Sequence, residues 1–360
     1  MTGTSLDACD LCWCQIPHQV TKAVPKFVDY HQVPLPFTLR KKTWQLVQEN
    51  QKMSAQEIAQ LNYSWGTFFA KTVIEVIQKK KWQIDLVGLH GQTIAHIPGK
   101  ISWQLGYPEM VSAQVKKPVV FNFRSSDTAA GYQGAPLAPI FHPHIVPPSD
   151  ELIAVHNLGG ISNTTLIWRG KIISAFDTGP GNIPIDTYVQ LVTNGRSKFD
   201  KNGQWAKRGR PHLPLLNQLQ KHPYFKKKGP KSTGREMFGG LWLQQVTRKY
   251  RTLSKYDMVA TLTEWVAWHI GYTYRHLLPK IPSKIYFCGG GSFNQFLLTR
   301  IQHYLPQVEI QTTQALNWPP MAIESAAFAW LAYLRYKNIK INLLPITGNP
   351  KPQLLGQVYQ

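Results

Sequence analysis

Three glycine turns constrain what this chain can fold into more than any other feature. Thr2-Gly3-Thr4-Ser5-Leu6-Asp7 opens it, Asn157-Leu158-Gly159-Gly160-Ile161-Ser162-Asn163 lies in the middle, and Cys288-Gly289-Gly290-Gly291-Ser292-Phe293-Asn294 comes late. The second and third follow apolar, strand-like runs, Leu152 to Leu158 and Lys284 to Phe287. Glycine there lets a ligand approach the backbone, whose N–H groups can hold anionic oxygens. In the first, the Thr and Ser hydroxyls add donors. In the third, a helix read over Gln295 to Leu305 adds its N-terminal end. One such turn is an ordinary hairpin or strand-to-helix link. Three of them, spread over two halves, suit a nucleotide lying in a cleft between two domains.

The rest of the pattern agrees with that division. Strands and helices alternate in both halves, which makes the class α/β. At 360 residues the chain suits two packed domains. Leu6 to Val33 reads as strands around a polar turn near residues 17–22. Ser54 and Glu57 have capping-box spacing, and Ile58, Leu61, Trp65, Phe69, Val73 and Val76 follow at helical spacing. Strand-like runs at Asp85 to Leu89 and Pro118 to Phe123 end at His90 and Arg124. Ser125 to Pro148 is rich in Gly and Pro, and is the best place for a domain crossing. Lys171 to Phe176 is a further strand. Tyr256 to Leu278 and Ala322 to Tyr336 read as helices.

Several polar groups stand where this scheme puts a ligand. Asp177, in Phe176-Asp177-Thr178-Gly179-Pro180-Gly181-Asn182, follows a strand at a Gly/Pro turn, with Asp186 beyond it. A carboxylate held there suits a general base. His90-Gly91-Gln92-Thr93, with His96 nearby, ends a buried strand. Arg124 can pair with a substrate carboxylate, or simply with Asp127. Asp7 can hold Mg²⁺ directly or through water. Lys231-Ser232-Thr233-Gly234-Arg235-Glu236 reads as another anion-binding loop or as a solvated linker. Cys9 and Cys12 have redox or metal spacing, but the strand alternation around them favours small apolar side chains.

Forty Lys and Arg against nineteen Asp and Glu give a formal net charge of +21. This favours anionic partners. The basic residues are dispersed instead of gathered in an arginine-rich tract, so specific nucleic-acid binding is not expected. No basic-then-apolar leader and no membrane-length apolar run occurs, and the expectation is a cytoplasmic protein without a membrane partner.

Taken together, these pieces resemble the anhydro-N-acetylmuramic acid kinase family. The likeness is carried by Gly3 to Asp7, His90 to Thr93, Phe123-Arg124 with Gly134 to Leu137, Asn157 to Asn163, and Phe176 to Asn182. Lys231 to Glu236, Ala260 to Thr263, Cys288 to Asn294, Glu324 with Ala327 to Ala332, and Leu344 to Gly348 complete it. It runs the length of the chain. The resemblance implies two RNase H-like, actin-like ATPase domains with a cleft between them. Residues 1–127 with 321–360 would form the first and 128–320 the second. It implies a kinase that opens the 1,6-anhydro ring of the muramic sugar with water and phosphorylates O6 from ATP, in peptidoglycan recycling. Asp177 would be the catalytic base. Gly3, Thr4, Ser5, Leu6, Asp7, Asn157, Gly159, Gly160, Asn163, Gly289, Gly290 and Gly291 would hold ATP, with Mg²⁺ at Asp7. His90, Gln92, Thr93, Arg124, Asp186 and Glu324 would hold the sugar. A homodimer is implied as well.

The family carries a short apolar strand before its first phosphate turn, whereas Met1 here stands directly at that turn. Ala8, Asn122 and Tyr132 also replace a Gly, an Asp and a Gly of the family pattern. The competing expectations are therefore a related kinase of another sugar or acid, or an impaired nucleotide-binding homologue.

Overall fold

The run around Val155 is apolar on both faces, and in the computed structural model of the chain it becomes the fully buried central strand Ile153–Leu158. The structure describes residues 1–3, 6–17, 24–47 and 52–360. Thr4, Ser5 and the polar turn expected over residues 18–22 lie outside them. The chain divides into two compact units, Met1–Ile145 with Ala322–Gln360, and Val146–Met321. Residues 128–145, which the sequence reading gave to the second domain, thus pack in the first. The reason is local: residues 138–140 lie against the helix Ile323–Tyr336, and His144 stacks on Trp330 at 4.4 Å.

In the second unit, Ile153–Leu158 pairs antiparallel with Ile161–Trp168, which pairs antiparallel with Lys171–Pro180. Lys284–Cys288 lies parallel to Ile153–Leu158 on its other side, and Glu309–Thr312 lies parallel to Lys284–Cys288. Numbered by appearance, the order is 3-2-1-4-5, with three antiparallel strands followed by two parallel ones. That is the RNase H-like arrangement. The helix Lys255–Tyr272 buries most of its length, with Trp265, Leu262 and Ile270 fully enclosed beside Phe225 and Phe238.

The first unit carries the parts of the same scheme in separate pieces. The hairpin Ala8–Gln15 with Lys26–Pro34 forms one sheet. Val87–Gly88, Val119–Phe121 and Gln357–Tyr359 form another. Between them stand Met1 and Thr2. The Asp10 N–H donates to Met1 O at 2.8 Å, and Thr2 Oγ1 donates to Gly91 O at 3.0 Å. Ile153–Leu158 takes the corresponding place in the second unit. The helix Ala55–Lys80 starts at the expected capping box, where Ser54 and Glu57 exchange side-chain and backbone bonds, and it buries Leu61, Trp65 and Phe69.

The last segment of chain completes this unit. Asp127 is wholly buried. It accepts from the Gly134 N–H at 2.8 Å, from Thr347 Oγ1 at 3.1 Å and from Asn349 Nδ2 at 2.9 Å. Its carboxylate therefore ties the crossing loop to the tail. The Cys9 spacing resolves differently from its metal reading. Cys9 is buried, whereas Cys12 and Cys14 bring their sulfurs to 3.5 Å. Strand alternation separates Cys9 from the other two. Among the described residues no three ligating side chains cluster as a metal would require.

Candidate active site

Turn chemistry assembles one cluster in the second unit. Gly159 and Gly160 join the first two strands, and their carbonyls accept from the start of the helix Ile183–Val192. Gly181 N donates to Gly160 O at 2.8 Å, and Asn182 N donates to Gly159 O at 2.9 Å. Asn182 Nδ2 reaches Leu158 O at 3.1 Å. The third glycine turn joins the same cluster. Gly289 has φ +77°, and a Cβ there would overlap Asn157 Oδ1. Only glycine meets both conditions without strain. Gly290 is exposed and Gly291 is buried against Leu158 and Asn182. Asn157, Gly159, Gly160, Gly289 and Gly291 are thereby brought together. Asp186 lies half-buried in the first turn of the helix Ile183–Val192.

Asp177 lies in the same region. The strand does not stop at Phe176, as its sequence suggested, but runs on to Pro180. Asp177 pairs with Asn163 and Pro180 with Ile161 on the neighbouring strand. The far side is not a free edge here, since the Asp177 N–H donates to Lys231 O at 3.0 Å. The Thr233 N–H donates to Asp177 Oδ2 at 3.0 Å, and Tyr224 Oη donates to Asp177 O at 2.7 Å. Asp177 is only 6% exposed. Opposite it, Asn163 Oδ1 is buried without a hydrogen-bond partner among the described residues. The Thr233 N–H holds the carboxylate, and Lys231 O and Tyr224 Oη hold the residue's backbone, as a positioned base needs.

The sequence offered the run from Lys231 to Glu236 without giving Lys231 itself a role. The Lys-Ser-Thr-Gly run was the available signal, and its reading as a solvated linker fails. Lys231 is buried, donates Nζ to Tyr224 O at 3.2 Å, and lies 4.3 Å from the Tyr224 ring centroid. Burial pulls its pKa from 10.5 down to about 8, against the pull of the Asp177 charge, which raises it.

The first unit holds a second constellation. His90 Nδ1 lies 2.9 Å from Gly91 O, and Nε2 lies 3.0 Å from Arg124 Nη2. A carbonyl can only accept, so Nδ1 carries the proton and Nε2 accepts from the guanidinium. Burial first, and Arg124 second, hold His90 well below its ordinary pKa, which keeps the ring neutral. Arg124 Nη1 also donates to Gly134 O at 3.0 Å. The Asp127 carboxylate meanwhile serves Gly134, Thr347 and Asn349. His90 packs on Phe328, ring centroids 4.4 Å apart and tilted by 48°, and Glu324 lies one turn earlier on the same helix. His90, Arg124 and the Glu324 helix therefore meet. Gln92 is buried and Thr93 half-buried on the adjoining strand Gln92–Ile97. In the first turn, the Leu6 N–H bonds Gly3 O at 3.3 Å, Leu6 is buried with φ 55°, and Asp7 is exposed. A lone exposed carboxylate suits a cation held chiefly by phosphate oxygens and water.

An RNase H-like unit that brings two glycine turns together and fixes a buried carboxylate on the same sheet has the equipment of a phosphoryl-transfer enzyme. The family model described as anhydro-N-acetylmuramic acid kinase matches residues 1–360. A curated protein of that name from Picosynechococcus sp. is 37% identical, covering 100% of this chain and 98% of its own length. Another from Shewanella denitrificans is 35% identical, covering 100% and 96%. Among solved structures, a ROK family glucokinase from Streptomyces griseus is 11% identical and covers 86% of this chain and 92% of its own, with a TM-score of 0.36. That superposition is too loose to add to the assignment. The chain belongs to the anhydro-N-acetylmuramic acid kinase family. Among the described residues no helix is long and apolar enough to cross a membrane.

Proposed function

We propose that this chain is an ATP-dependent kinase that opens 1,6-anhydro-N-acetylmuramic acid with water and phosphorylates O6, giving N-acetylmuramic acid 6-phosphate. The observation that carries the reading is Asp177. Its carboxylate is buried, fixed by the Thr233 N–H, and its residue stands opposite Asn163, which in turn stands opposite Asn157.

Asp177 takes a proton from water as the water oxygen bonds to C1 of the sugar. The C1–O6 bond breaks, and O6 keeps the electron pair. O6 then bonds to the γ-phosphorus of ATP while the bond to the β-phosphate oxygen breaks, and ADP leaves. The proton on Asp177 returns to solvent. The attack resembles the base-assisted step of an inverting glycosidase. The rest of the work is positioning and charge neutralisation. Gly3, Thr4, Ser5, Leu6, Asn157, Gly159, Gly160, Asn163 and Gly289 to Gly291 belong to the nucleotide side. Mg²⁺, when bound, neutralises phosphate charge, and Asp7 would hold it through water. Arg124, steadied by His90, suits the lactyl carboxylate, with Gln92, Thr93, Asp186 and Glu324 around the sugar. The net charge of +21 draws both anionic substrates inward. A cytoplasmic homodimer belongs to the same reading.

The test is turnover in ¹⁸O-water with ATP, Mg²⁺ and the anhydro sugar. The product should carry ¹⁸O at C1. A phosphorylated product without it refutes ring opening by water. Asp177→Asn should lower turnover about a thousandfold and leave ATP affinity within about twofold. Retained turnover in that variant removes Asp177 as the base.

A further inference from the structure

The hairpin Gln92–Ile97 with Ile101–Leu105 presents a polar face whose bonds are incomplete. Thr93 stands opposite Gln104, and His96 opposite Ser102. Gln104 donates both amide hydrogens, to Ser102 Oγ at 2.7 Å and to Thr93 Oγ1 at 3.3 Å. That fixes the amide's orientation and turns Oε1 away from both hydroxyls. Gln104 is only 6% exposed, and its Oε1 is buried with no hydrogen-bond partner among the described residues. Both ring nitrogens of His96 are in the same state. His96 lies against Gly134, whose carbonyl Arg124 holds. Burial, helped by the Arg124 charge, lowers the His96 pKa to about 4, so the neutral ring offers one acceptor and one donor.

Native proteins pair nearly all such atoms, and each buried orphan costs about 1–3 kcal/mol. Four orphans on one short ribbon beside a guanidinium, Gln92 Oε1 being the fourth, are expected where a ligand supplies the missing groups. The anhydro sugar has two neutral donors, the acetamido N–H and the 4-hydroxyl, and one carboxylate. Apart from Gln92 Oε1, the hairpin offers two acceptors, Gln104 Oε1 and one His96 nitrogen.

We propose that Gln104 Oε1 and His96 form the specificity subsite that reads the N–H and O–H donors of an N-acylated, carboxylated sugar. This rests on the substrate reading above. It adds two residues to the sugar side, and it predicts discrimination by acceptors instead of by charge. Thr93 and Ser102 act through Gln104, as positioning residues.

The test uses the full chain and calorimetric binding of three sugars: anhydro-N-acetylmuramic acid, its 4-deoxy analogue, and its 2-acetoxy analogue, which lacks the N–H. Wild type should bind at least one analogue about tenfold more weakly than the parent, the loss expected for one hydrogen bond. Gln104→Met or His96→Phe should weaken the parent about tenfold, become indifferent to that missing donor, and leave ATP affinity and the thermal midpoint unchanged. Variants that bind the parent as wild type does overturn the subsite, as does full retention of the analogue penalty; ordered water then satisfies these atoms. Parent binding without turnover would refute the kinase reading and spare the subsite. If wild type binds none of the three sugars, both readings fall. A variant with a lowered midpoint is replaced by Ser102→Ala, which should weaken the parent by loosening Gln104; unchanged binding there counts against the subsite.

Discussion

Replacing Lys231 by methionine should change how this protein's stability responds to alkali. The ammonium is buried, and its pKa is held at about 8 instead of 10.5. Between those values the unfolded chain keeps a proton that the folded chain has released. Stability therefore rises with pH across that window, and the full penalty of the buried charge is present below about pH 8. A shift of about 2.5 units corresponds to about 3 kcal/mol, and roughly 2 kcal/mol after allowance for solvent screening. Methionine has a similar reach and no charge to bury. The assay is urea unfolding of both proteins at several values from about pH 7 to pH 10.5, reading the difference between them. Other titrating groups cancel in that difference. The wild type should gain roughly 2 kcal/mol on the variant as pH rises. Parallel curves would show that Lys231 titrates normally, and that its burial beside Asp177 is misread.

Three other outcomes follow from particular contacts. Asp127→Ala should cost about 3 kcal/mol or more, because three buried donors lose their acceptor; an unchanged urea midpoint contradicts that arrangement. Gly289→Ala combines positive φ with an overlap at Asn157 and should cost at least about 2 kcal/mol, read as a fall in the thermal midpoint. His90→Phe should raise KM for the sugar about tenfold and leave KM for ATP within about twofold, since Arg124 loses one support; equal effects on both substrates would refute the split.

Local chemistry made much of this legible in advance. The Ser54 capping box, the helical spacing through Trp65 and the apolar run at Val155 each act within a few residues of themselves, and each forms as expected. What stayed hidden depends on distant partners. The strand passes Phe176 because Ile161 to Asn163 and Lys231 pair with its continuation, and Pro180 is tolerated as its last residue. Lys231 looks solvated in a polar run, and only the walls made by Tyr224 and Phe176 bury it. Cys9 and Cys12 matched a familiar spacing, but strand geometry sends the real sulfur contact to Cys12 and Cys14. The orphaned oxygen of Gln104 has no sequence signature, since it arises from which hydroxyls happen to stand opposite.

The clasp between Asp127 and the tail bears on how the chain is made. Residues 146–321 form a continuous unit and can fold as soon as they clear the ribosome. The segment before it emerges earlier, yet its sheet lacks Gln357–Tyr359, and Asp127 lacks two of its three donors, until residues 347–359 have been made. The later segment therefore latches the earlier one, and the lobe they share closes only after the unit between them can already have folded.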